Sequence, residues 1–167
     1  VATPIGNMGD LSFRSVNILR ESNLILCEDT RVTRKILQKF DIKNELISNH
    51  KFNEKKNLDK ILKTLKNNKI VSLVADAGTP TISDPGKILI NECVKNNIQI
   101  FPIPGASAVS AAISISGFSE NFYFCGFLPE KKNQIKKLFN DLSYLNCSIV
   151  MFISPNKLSK RVEDIKE

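Results

Sequence analysis

The sequence predicts an α/β protein built on a parallel sheet, followed by the start of a second α/β unit. Three observations carry this. Short apolar runs alternate with segments of helical period to about residue 120, the order that builds parallel sheets. Three of those runs open into loops of small or turn-forming residues: Glu28-Asp29-Thr30-Arg31 after Leu24 to Cys27, D-A-G-T-P-T-I-S-D-P-G (Asp76 to Gly86) after the run from Val71, and P-I-P-G-A-S-A (Pro102 to Ala108) after Ile98 to Phe101. Hydrophobic residues at 42% and charged residues at 25% of 167 are ordinary for a folded domain. Loops at the carboxyl ends of parallel strands are where such sheets bind ligands, so one site assembled from three separated segments is expected.

Taken in order, V-A-T-P-I-G-N-M-G-D is a Pro/Gly/Asn-rich loop that a strand should precede. Asp10 or Ser12 caps a helix to about Glu21 with Leu11, Ser15, Ile18 and Leu19 at helical spacing. After the strand Leu24 to Cys27, Thr30 caps a second helix whose stripe is Val32, Ile36, Leu37 and Phe40. Leu46 and Ile47 form a short strand before S-N-H-K-F-N-E, where Asn53 caps a helix carrying Leu58, Ile61, Leu62 and Leu65. The strand from Val71 precedes a helix over Lys87 to Asn96, and Ile98 to Phe101 reads as a further strand. A small-residue helix from Ala106 to Ile115 stops at Gly117. Five strands are expected to this point.

Character changes at Asn121 to Pro129, an aromatic run that reads as the crossing between residues 1–125 and 126–167. The second unit holds a helix around Ile135 to Leu145, a strand from Ser148 to Ile153 and a helix with Leu158, Val162 and Ile165 inward. One helix, one strand and one more helix are too little for a core, so this is the beginning of a larger domain.

Cys27, Cys93, Cys125 and Cys147 are far apart with no C-x-x-C pair, which reads as buried reduced thiols in a cytoplasmic protein. No run reaches the ~18 apolar residues of a membrane span, and no leader pattern begins the chain. The charge of +7 and pI near 9.3 suit a polyanion such as RNA, and Lys-rich, Asn-rich usage accounts for them equally well. Dinucleotide, P-loop, zinc-protease and nucleophile-elbow motifs are absent, and a single histidine, His50, leaves no expected metal. What remains is a pocket of small residues, Ala77, Gly78, Thr79, Gly105, Ala106, Ser107 and Ala108, whose exposed backbone suits a close-fitting polar cofactor.

The segments V-A-T-P-I-G-N, E-D-T-R-V-T-R-K, H-K-F-N-E, D-A-G-T-P-T-I-S-D-P-G, P-I-P-G-A-S-A and G-F-L-P, in that order, resemble the tetrapyrrole methylase-like (class III) methyltransferases, specifically the branch that modifies bacterial small-subunit ribosomal RNA. The resemblance implies two α/β domains and a homodimer. It further implies methylation, by S-adenosylmethionine and without metal, of a cytidine ribose 2′-oxygen in the decoding region of 16S rRNA. It carries cofactor contacts onto Pro4, Ala77, Gly78, Thr79, Ile82, Ser107 and Ala108. At the position of an acidic residue in relatives the chain has Ile153, and their S-P-H-R reads Ser154-Pro155-Asn156-Lys157.

Methyl transfer is an in-line displacement in which positioning does most of the work. The candidate catalytic groups are Glu28, Asp29 and Arg31: Asp29 to accept the ribose proton or orient the sugar, Arg31 with Arg34 to hold a phosphate. The same residues fit a helix cap and an ion pair, Asp76 and Asp84 fit loop turns, and Lys131, Lys132, Lys136 and Lys137 fit a solvated helix face. A class III enzyme for a small molecule such as a tetrapyrrole, and a non-catalytic RNA-binding module, remain alternatives.

Overall fold

The computed structural model describes residues 1–166 and divides them, by contacts, into a unit Val1–Ala108 and a unit starting at Val109. The first unit orders as α1 (Phe13–Glu21), β1 (Leu24–Cys27), α2 (Thr30–Lys39), β2 (Leu46–Ser48), α3 (Glu54–Lys66), β3 (Val71–Leu73) and α4 (Lys87–Lys95). Its sheet is fully parallel in the order β2-β1-β3, with Cys27 opposite Ser48 and Leu26 opposite Leu73. All four residues of β1 are buried because helices cover both faces of this central strand. Ile25 and Cys27 join Val16, Leu19, Ile36 and Leu37 of α1 and α2 in one core. Leu24 and Leu26 join Ile61, Leu89 and Cys93 of α3 and α4 in the other. The period-2 alternation of one strand thus divides two cores.

The helix starts follow local chemistry. Ser12 accepts from the Ser15 amide at 3.0 Å and caps α1. The cap of α2 is Asp29, one residue before the expected Thr30; its carboxylate accepts from the Arg31 amide at 2.8 Å. Asn53 precedes α3 without capping it, because its side chain is engaged elsewhere.

The run Ile98 to Phe101, expected as a strand, is not one. A strand needs a partner along its length, and here the flanking Val1–Thr3 segment supplies one bond to this connection, Ala2 N–H to the Ile103 carbonyl at 3.1 Å. Nor does a full strand precede the first loop: Thr3 and Gly78 form an isolated bridge, so three of the five expected strands make a ladder.

The second unit holds α5 (Ala108–Ser116), β4 (Phe122–Phe127), α6 (Lys132–Leu142), β5 (Ser148–Phe152) and α7 (Leu158–Lys166). The aromatic run expected as a crossing is itself a strand, paired in parallel with β5 and bulged between Phe124 and Phe127, where Gly126 has φ 75°. Phe124 and Phe127 pack their rings on Phe152 at 4.9 and 5.3 Å between centroids, and Ile135 of α6 is fully buried. Among the described residues no helix is long and apolar enough to cross a membrane.

Candidate active site

The carboxyl ends of β1, β2 and β3 open onto one rim. Three loops from distant parts of the first unit are tied together there. Thr3 and Gly78 exchange backbone hydrogen bonds of 2.9 and 3.0 Å, and the Thr3 hydroxyl donates to the Ala75 carbonyl at 2.9 Å. The Thr79 hydroxyl donates to the Ala106 carbonyl at 3.2 Å. The approach is close enough to need small residues: a Cβ on Gly105 would lie 2.9 Å from that of Ala2, and one on Gly78, where φ is +84°, 3.5 Å from Ile5 Cγ2. Of the residues that the resemblance assigns to a cofactor, Pro4 and Gly78 are buried, Thr79 and Ser107 half-buried, and Ala77, Ile82 and Ala108 exposed. The amides of Ala77, Thr79 and Ser107 donate to nothing among the described residues, so this cradle offers the backbone groups that a polar ligand needs.

Beside it stand four carboxylates. The Asp29 amide donates to Asp76 Oδ1 at 3.0 Å, which joins the end of β1 to the loop after β3. Asp29 itself is taken up by Arg31, whose Nε and Nη2 reach both its oxygens at 2.6–3.1 Å, and that bonding holds its carboxyl down at about 2. The helix cap and ion pair that the sequence also allowed are therefore present. Glu28 differs: burial first, then the Asp76 charge, raises it above the ordinary range, with His50 acting in the opposite sense. Asp84 is pushed up to about 6 by burial and by the charges of Glu28 and Asp76. Groups pushed apart in this way can divide the labour of holding and releasing a proton near neutrality.

The loop that returns Asp84 to the rim is backbone-strained. Thr81 and Ser83 have φ of 69° and 68°, and Gly86 at φ +124° could not carry a Cβ, which would lie 2.5 Å from Leu73 Cδ2. Its far end is held by Glu54, buried at 5% exposure, whose Oε1 accepts from the amides of Ile88 (3.0 Å) and Leu89 (3.2 Å) in the first turn of α4. Glu54 belongs to H-K-F-N-E, so part of that motif is a clamp on the S-D-P-G loop, a role invisible in the sequence because the two segments are more than thirty residues apart.

Comparison with known proteins decides the family. A model of the tetrapyrrole (corrin/porphyrin) methylases matches residues 1–167. The chain belongs to the tetrapyrrole methylase family. It is thereby a methyltransferase. Among its relatives, a ribosomal RNA small subunit methyltransferase I from Mesomycoplasma conjunctivae is 48% identical over 168 residues, spanning 100% of this chain and 70% of the relative. The enzyme of the same description from Thermotoga maritima is 45% identical and matched over 75% of its length. Two solved tetrapyrrole-methylase-fold structures resemble it in fold. Diphthine synthase has TM-score 0.70 at 14% identity over 93% of this chain and 64% of its own. The cobalt precorrin-4 methyltransferase CbiF has TM-score 0.66 at 16% identity over 99% and 72%.

Proposed function

We propose that this tetrapyrrole methylase transfers the methyl group of S-adenosylmethionine to the ribose 2′-oxygen of a cytidine in the decoding region of 16S rRNA, as a homodimer in the cytoplasm. The observation that carries the reading is the cradle of Thr3, Gly78, Thr79 and Ala106 lying beside a rim of carboxylates with raised affinity for protons. Relatives at 45–48% identity named as ribosomal RNA methyltransferases support the substrate.

The residues fit the methyl donor: small side chains and unpaired amides at Ala77, Thr79 and Ser107 leave room and polarity for an amino acid and a ribose, with Pro4, Gly78, Ile82 and Ala108 completing the cradle. Bound there, S-adenosylmethionine supplies a methyl carbon already activated by its sulfonium. The chain's own part is positioning and proton handling. As the new C–O bond forms and the C–S bond breaks, the hydroxyl proton passes to Glu28 or Asp84, whose environment favours accepting it near neutral pH. Arg31, 87% exposed and oriented by Asp29, presents its charge to a flanking phosphate.

Calorimetric titration of the full-length protein with S-adenosylmethionine tests this beside Gly78→Arg, followed by methylation of small subunits lacking the modification. Binding that Gly78→Arg abolishes while it keeps the wild-type circular dichroism, and methyl incorporation at a ribose oxygen, are expected. Absence of cofactor binding by folded wild type refutes the methyltransferase mechanism. Binding without transfer to the subunit refutes the substrate.

A further inference from the structure

We propose that Phe52 is a stacking platform for an unpaired base of the RNA substrate, set on the catalytic rim and flanked by cations that hold the backbone; the inference rests on the ribosomal RNA reading above.

Phe52 is 93% exposed, although a phenylalanine side chain gains by leaving water. It is also held in place. The turn that carries it, His50 to Asn53, is closed by Asn53 N–H to the His50 carbonyl at 2.9 Å. Asn53 Oδ1 accepts from the His50 amide at 2.8 Å, and Asn53 Nδ2 donates to the Ser48 carbonyl at 3.0 Å. The Phe52 amide donates to His50 Nδ1 at 3.2 Å, and the two rings meet edge to face, 6.0 Å between centroids. A turn with this many bonds presents its aromatic ring at a fixed place, so little side-chain and backbone freedom is lost when something stacks on it.

Its place is the catalytic rim. Cys27 at the end of β1 pairs with Ser48 at the end of β2, and the Ser48 hydroxyl donates to the Glu28 carbonyl at 3.2 Å, so the 50–53 turn lies against the strand end that carries Glu28, Asp29 and Arg31. Charge is layered there. The carboxylates Glu28 and Asp84 are half-buried, Asp29 is bound to Arg31, and Glu54 is buried on α4. The exposed charges around Phe52 are Lys51, Lys55, Lys56, Arg31, Arg34 and Lys35. An exposed aromatic ring among cations, outside an acidic pocket, matches an unstacked nucleotide: the base on the ring, the phosphates on the cations. The chemistry requires such a nucleotide, because a ribose 2′-oxygen reaches a methyl group in a narrow cradle only when its strand is splayed out, and the lost base stacking must be replaced.

The test compares full-length wild type with Phe52→Ala, Phe52→Leu and Phe52→Tyr, measuring steady-state methylation of unmodified small subunits, S-adenosylmethionine affinity by calorimetry, and the salt dependence of subunit binding. Expected are a rise of about tenfold or more in KM for the subunit with Ala and Leu, near wild-type values with Tyr, unchanged cofactor affinity and an unchanged salt slope. Lys51→Ala, by contrast, reduces the salt slope by about one. Equal KM for all four proteins overturns the inference, and so does a Leu variant as good as wild type beside an impaired Ala variant, which marks apolar contact with a ribosomal protein. Wild type that binds cofactor and methylates no subunit overturns the ribosomal RNA reading itself.

Discussion

Removing the carboxylate of Glu54 is expected to destabilise the protein far more than a single polar deletion at the surface. Glu54 is 5% exposed, and its Oε1 receives two amides at 3.0 and 3.2 Å from the first turn of α4. The helix has no side-chain cap of its own, since Gly86 occupies that position. In Glu54→Ala, two amides lose their acceptor, a loss comparable to deleting a cap at about 1–2 kcal/mol. The charge opposite the helix N-terminus goes as well, worth about 1 kcal/mol when partly buried, and so do the buried methylenes, at about 0.8 kcal/mol each. The sum is about 3–4 kcal/mol, or roughly 6–15 °C in midpoint for a chain of this size. Glu54→Gln keeps an acceptor oxygen and the packing and is expected to cost about 1–1.5 kcal/mol, the charge term with part of the bond strength. Urea and thermal unfolding of the full-length protein followed by circular dichroism measure both. An Ala variant within about 0.5 kcal/mol of wild type refutes the clamp, because surface substitutions fall in that range. Gln as damaging as Ala shows that charge, and not the shared acceptor, carries it.

Two further outcomes follow from the carboxylates. Folded Asp84 keeps its proton to about pH 6 against 3.8 as the ordinary value, so the native state binds more protons than the unfolded state between those limits and stability falls as pH rises through that window. Asp84→Asn is expected to lose that fall, read as a flatter urea midpoint between about pH 4 and 6, while Glu28 and Asp76 still face the site. In pH-rate profiles of methylation, Glu28→Gln is expected to shift or remove the acidic limb, whereas Asp29→Asn leaves its position unchanged because Asp29, held at about 2, stays ionised across the working range; a limb that moves with Asp29 contradicts this division.

What the sequence made legible was what short-range pattern encodes. The stripes Ile36/Leu37 and Ile61 were read as inward and are buried, and the Leu24 to Cys27 strand is the centre of the sheet. Ile98 to Phe101 has strand-forming residues but no neighbour to complete a ladder, and residue pattern does not say what lies alongside. The aromatic run at 121–129 read as a boundary because Gly126 and Pro129 look like breakers, yet Gly126 sits at a bulge inside a strand. For the site, loop composition located the cradle of Gly78, Thr79 and Ala106. It did not separate Glu28 and Asp84 from Asp29, because that difference arises from burial and from which carboxylate meets Arg31.

The segment from Thr79 to Gly86 shows why these features occur together. Thr81, β-branched at φ 69°, and Ser83 at φ 68° each carry a cost of about 1–2 kcal/mol relative to relaxed backbone. Burial of Asp84 beside Glu28 and Asp76 opposes folding again whenever the group is ionised. Neither penalty benefits the hydrophobic cores, which lie on the two faces of the sheet. Both are tolerated because the segment is fastened at each end: at Gly78 and Thr79 to the first and third loops, and at Ile88 and Leu89 to Glu54. A loop free to relax would let Thr81 and Ser83 return to ordinary dihedrals and Asp84 turn to water, where it would be a fully ionised carboxylate with no reason to take a proton near pH 6. The fastening therefore converts stability supplied by the cores into a carboxylate of altered basicity beside a cofactor-sized cradle, and this juxtaposition is what a positioning methyltransferase requires of its fold.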